Sequence, residues 1–200
     1  MNFTRVQIEQ AVKSKGYVWF ENGAYNINIV GIRNGSTNNE VTNKFDDFIT
    51  VTYKDRNGRW NFREYPATTD PGTHWEQNLL NAKGVAILKE GQYRGSHMIG
   101  LHQDTYEALK QKTPLPVYRD KNKDGDFDLL EENIQEGIFG INIHRATKWG
   151  TSNEIGRWSA GCQVIANNED FEEFMSLARK SSQLYGNSFT YTLINSNDIV

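Results

Sequence analysis

Phe48-Ile49-Thr50-Val51-Thr52-Tyr53-Lys54, then Asp55-Arg56-Asn57-Gly58, then Arg59-Trp60-Asn61-Phe62-Arg63-Glu64-Tyr65 is the stretch that decides the fold class. β-Branched and aromatic residues crowd both flanks, and branching at Cβ suits a pleated surface better than a helix. Asn57-Gly58 between them accepts the positive φ angles of a type I′ turn, whose twist matches two antiparallel strands. The stretch reads as a β-hairpin.

The amino-terminal side of the hairpin predicts a helix. Thr4 and Gln7 have capping-box spacing, Phe3 and Ile8 can form a hydrophobic staple, and Gly16 can end the helix. Tyr17–Phe20 and Tyr25–Ile32 read as strands, with Tyr25, Ile27 and Ile29 on one face. On the carboxyl side, Gly84–Lys89 is a short apolar strand and Thr105–Lys112 a short helix stopped before Pro114 and Pro116. Gly137–His144 reads as a strand with Ile138, Gly140, Asn142 and His144 sharing one side. Phe171, Phe174, Met175, Ala178 and Tyr185 follow helical spacing, behind acidic residues placed at the favourable end of the dipole and ahead of Gly186. Ser188–Ile194 alternates as a last strand. With no repeat or linker, residues 1–200 predict one domain that is mainly β with a few peripheral helices.

Composition narrows the function classes. A net charge of −3, from 22 basic and 25 acidic side chains, leaves no basic footprint for nucleic acid. No apolar run reaches the length of a membrane span. The single cysteine rules out an intramolecular disulfide and a Cys-rich zinc site. Met1–Arg5 lacks a charged-then-apolar leader pattern, so the expectation is synthesis in the cytoplasm.

Cys162 lies in Trp158-Ser159-Ala160-Gly161-Cys162-Gln163-Val164, downstream of Ile141-Asn142-Ile143-His144. A thiol is only partly ionised near neutral pH, so a catalytic cysteine needs a base within hydrogen-bond reach, and His is best matched to that task. His144 at a strand end and Cys162 after a tight Ser-Ala-Gly turn can be joined by two neighbouring strands. Gly161 permits close backbone approach, so the amides of Gly161 and Cys162 are candidates for an oxyanion site. Spacing alone fits both a nucleophile–base pair and a core cysteine near a satisfied histidine.

The stretch resembles the signature of the L,D-transpeptidase catalytic domain: a His, a loop, then Ser/Thr-His-Gly-Cys. His144, Ser159, Gly161 and Cys162 fill the His, Ser/Thr, Gly and Cys places, with Cys162 eighteen positions after His144. Thr69-Asp70-Pro71-Gly72 resembles, loosely, an upstream turn of such domains. The resemblance implies a β-sandwich, a Cys162 nucleophile with His144 as base, and attack on peptidoglycan stem peptides. The resulting thioester passes to an amine (L,D-transpeptidase) or to water (L,D-carboxypeptidase). It also implies muropeptide or peptidoglycan partners and release to the cell wall or periplasm, as in phage or prophage relatives without leaders. Ala160 departs from the usual histidine, and Val164 from the Arg or Asn that often follows. His102, Arg145, Trp158 and Gln163 are the candidate substrate-binding residues, with Arg145 and Arg157 suited to a carboxylate.

Asp120-Lys121-Asn122-Lys123-Asp124-Gly125-Asp126-Phe127-Asp128-Leu129-Leu130-Glu131 fits the twelve-residue calcium loop. Asp120, Asn122, Asp124, Asp128 and Glu131 stand at liganding places, Asp126 beside them, and Gly125 at the sharp bend. The expectation is structural Ca2+ and no cofactor for catalysis. Three alternatives stand beside the cysteine enzyme: a zinc peptidase on His97, His102 and His144, a non-catalytic calcium-dependent wall-binding module, and a cysteine protease of ordinary peptides.

Overall fold

The computed structural model describes residues 3–200. Eleven strands and three helices follow in order: α1 Arg5–Ser14, β1 Asn28–Arg33, β2 Asp47–Lys54, β3 Trp60–Thr68, α2 Thr73–Gln77, β4 Val85–Leu88, β5 Gly91–His102, β6 Tyr106–Gln111, β7 Leu115–Asp120, β8 Ile134–Gly137, β9 Ile143–Arg145, β10 Gln163–Ile165, α3 Asn168–Tyr185 and β11 Phe189–Asn195. The protein is mainly β with few helices, as expected. The main sheet closes into an eight-stranded barrel in the order β1-β11-β5-β6-β9-β10-β3-β2, and β4-β7-β8 form a separate sheet. A sandwich is therefore not confirmed.

Hydrophobic alternation sorts β1 onto two cores. Ile29 joins the main cluster with Ile49, Val51, Tyr65, Tyr191 and Leu193, while Val30 and Ile32 meet Ile8 and Val12 of α1. The α1 start follows the expected chemistry, with both arms of the Thr4–Gln7 capping box made. Helix α3 begins on Asn167, whose side chain accepts from the amides of Glu169 and Asp170, and buries Phe171, Phe174, Met175 and Ala178. Its last residue, Tyr185, instead stays exposed.

Four sequence expectations change. The β2–β3 hairpin forms, but only Gly58 of its turn has positive φ. Asp55 explains this: its carboxylate accepts the amides of Asn57 and Arg59, stabilising an Asx turn in place of type I′. Tyr17–Phe20 is not a strand; the amides of Val18 and Phe20 donate to the side chains of Gln92 and Asn28. Thr105–Lys112 is the strand β6, because the β5–β6 pairing satisfies a backbone whose Ala, Leu, Lys and Gln would otherwise favour helix.

The segment Gly137–His144 divides. Gly137 ends β8, His144 sits in β9, and residues 138–142 cross between the two sheets. Gln111 holds that crossing. Its Oε1 accepts the amides of Phe139 and Ile141 at 3.0 and 2.9 Å. Its Nε2 donates to the carbonyls of Gly137 and Thr113 at 2.7 and 2.9 Å. One buried side chain thus replaces four ladder bonds.

Candidate active site

Strands β9 and β10 run parallel with His144 beside Val164, so Cys162 emerges next to the strand that carries His144. Both residues line one open groove of about 800 Å³. The turn that presents Cys162 is fixed from within. Ser159 is fully buried; its Oγ donates to the Cys162 carbonyl at 2.8 Å and accepts the Gly161 amide at 3.1 Å. Ser159 is therefore a positioning residue. The Gly161 amide, expected at an oxyanion site, is spent on Ser159, whereas the Cys162 amide meets no acceptor among the described residues.

Cys162 is half-buried. The thiol donates to the Gly140 carbonyl at 3.1 Å rather than to His144. Burial pushes it up to about 11, opposed by the main-chain N–H of Asn142. His144 is buried, and that burial, with His102 alongside, lowers its imidazole to about 3. The resting pair is a neutral thiol beside a neutral imidazole. The imidazole Nδ1 lies 2.7 Å from the Arg145 carbonyl, which can only accept, so the proton sits on Nδ1 and Nε2 carries the lone pair. The Tyr106 hydroxyl lies 3.3 Å from the same Nδ1.

His102 stacks on His144 with ring centroids 4.1 Å apart and planes 20° from parallel. Arg145 lies 4.1 Å over the Tyr106 ring and donates to Asn168 Oδ1 at 3.0 Å. Trp158 is half-exposed at the rim, its indole N–H on Ser152. The groove thus brings together His102, Arg145 and Trp158. Gln163 is a correction. It is fully buried, donating to the carbonyls of Thr69 and Gly161 and accepting the Tyr191 hydroxyl at 2.7 Å, so it props the turn and does not face the groove. Sequence reasoning missed Tyr106, Trp75 and Lys148, which also line it. Tyr106 was hidden by the helical reading of its strand. Among the described residues no acidic side chain lines the groove, while Arg145, Lys148 and Arg157 do.

His97 does not join the site. Its two ring nitrogens lie 2.8 Å from Ser96 Oγ and 2.9 Å from the Ile141 carbonyl, and it is fully buried. A zinc centre on His97, His102 and His144 is therefore not assembled here.

The calcium-type loop departs from its expected arrangement at two places. Asn122 Nδ2 donates to Asp124 and Asp128, each at 2.9 Å, which points its N–H side between the carboxylates. Asp120 accepts the amides of Asn122 and Asp128, and Asp124 that of Asp126. Glu131 turns away to Lys89 at 2.7 Å and to the Tyr118 hydroxyl at 3.0 Å. Among the described residues, no three His, Cys, Asp or Glu side chains are gathered as metal ligands. Nor is any described helix long and apolar enough to cross a membrane.

Compared with family models, with curated proteins and with solved structures, the chain matches none.

Proposed function

We propose that the groove carries out cysteine acyl transfer, with Cys162 as nucleophile and His144 as base. The observation behind this reading is the pair that lines one groove: a thiol on a turn fixed by Ser159 and an imidazole whose proton is held on Nδ1, leaving the lone pair on Nε2. Nε2 takes the thiol proton as Sγ bonds to a carbonyl carbon, and the carbonyl electrons move onto oxygen. Collapse breaks the C–N bond, and the imidazolium returns the proton to the leaving amine. An amine or water then attacks the thioester, His144 accepts its proton, and Sγ leaves as the thiol. Burial disfavours a preformed thiolate–imidazolium pair, so proton transfer accompanies attack.

The substrate class proposed is the peptidoglycan stem peptide, in L,D-transpeptidase or L,D-carboxypeptidase manner, on an L,D-transpeptidase-like fold. The resemblance of the His144 and Ser159–Cys162 segments supports it, as does a groove lined by cations and no acids, suited to a peptide rich in carboxylates. The experiment is incubation with tetrapeptide muropeptides, following loss of terminal D-alanine or a new crosslink by mass spectrometry beside Cys162→Ala. Calcium at residues 120–131 is a separate structural proposal, and no chemical step passes through it.

A further inference from the structure

A chain of fixed hydrogen-bond polarities runs from the sheet to His102. The Gln111 main-chain N–H can only donate, and it donates to Asn142 Oδ1 at 2.8 Å. That fixes the Asn142 amide with its Nδ2 toward His102 Nδ1, 3.1 Å away. An amide nitrogen can only donate, so His102 Nδ1 accepts and the ring proton stands on Nε2. His144, stacked against it, has the reverse tautomer. Two parallel imidazoles in one groove therefore present opposite faces of chemistry, one a lone pair and the other an N–H.

The oxyanion site expected at the Gly161 and Cys162 amides has lost one donor, because Gly161 N–H is spent on Ser159 Oγ. His102 Nε2 donates to none of the described residues. We infer that His102 is a catalytic hydrogen-bond donor, its neutral Nε2–H joining the Cys162 amide in holding the developing oxyanion. This rests on the proposed cysteine acyl transfer. A neutral imidazole serves as donor without giving up its proton, so the thiol proton still travels to His144 and back. Burial and nearby Lys110 lower the His102 imidazole, which keeps it neutral at pH 7. Asn142 becomes its positioning residue.

The test compares two reactions at Cys162 that share the nucleophile and differ in the oxyanion. Acetylation by p-nitrophenyl acetate builds a tetrahedral oxyanion, breaks the ester C–O bond and expels p-nitrophenolate. Alkylation by iodoacetamide displaces iodide and builds none. In His102→Phe, acetylation should fall on the order of 100-fold, the usual cost of one oxyanion donor, with alkylation unchanged. His102→Gln, which keeps an N–H, should recover part of the loss. Equal effects on both reactions, or on neither, would overturn the inference. So would ¹⁵N spectra of the wild-type protein placing the His102 proton on Nδ1, a reading independent of any variant's folding. Wild-type protein that alkylates but never acetylates would instead sink the acyl-transfer reading, and the His102 role with it.

Discussion

Gly161 passes the Ala86 carbonyl so closely that a Cβ there would lie 2.3 Å from the oxygen. Its φ of +128° is also one that L side chains rarely adopt. Both constraints bear on the residue that precedes the nucleophile, and the obstacle is backbone, which cannot swing aside. Gly161→Ala should destabilise the protein by about 3 kcal/mol in urea unfolding, through strain and displacement of β4. A change below about 0.5 kcal/mol would show that the turn relaxes freely.

Cys162 should behave as a protected thiol. With its proton on the Gly140 carbonyl and burial raising it to about 11, alkylation should be slow at pH 7 and climb through pH 9–11. The check is the iodoacetamide rate against pH. A plateau reached below pH 8 would mean a preformed thiolate, contrary to the geometry.

His97 should make the protein acid-sensitive. Burial lowers its imidazole from an ordinary 6.5 to about 4, so the unfolded chain binds more protons between those values. Its contribution is complete above about pH 6.5 and is lost as pH falls toward 4. Between pH 7 and 5 that amounts to about 2 kcal/mol. Asp47 acts oppositely: burial raises it to about 7, so acidification over the same range favours the folded state. The informative comparison is therefore relative. His97→Asn should reduce the pH 7-to-5 loss by about 2 kcal/mol in paired urea titrations, whatever its own stability at pH 7; an unchanged difference would refute the assignment.

The calcium proposal turns on Glu131. If the ion recruits the twelfth loop residue, it must take Glu131 from Lys89. Lys89→Ala should then tighten calcium binding several-fold in isothermal titration, because the exposed pair that competes is removed. Unchanged or weaker affinity would leave Glu131 outside the site, and no heat in either protein would remove the ion altogether.

The legible parts of this fold are those written in neighbouring residues. The Thr4–Gln7 box, the β2–β3 pairing and the buried stripe of α3 each rest on contacts within a few positions or on a strict period. The missed parts depend on distant partners. Nothing near Tyr17–Phe20 announces that Asn28 and Gln92 will take its amides, and nothing near Phe139 announces Gln111. Tyr106–Gln111 carries helix-favouring side chains, yet its alignment with β5 decides the outcome. At the candidate site, the shared groove of Cys162 and His144 and the tight turn at Gly161 were readable because neighbouring strands join the first two and a positive φ demands glycine. Gln163 was misread because adjacency to a nucleophile does not fix a side chain's direction; alternation along β10 sends it inward, to Tyr191.

The most direct measurement is the product spectrum of tetrapeptide muropeptides incubated with the protein, alongside Cys162→Ala. Cysteine acyl transfer predicts loss of terminal D-alanine or a new crosslink, with a transient acyl adduct on Cys162, and neither in the variant. Unaltered muropeptides with the folded wild-type protein, or equal turnover by Cys162→Ala, would contradict it.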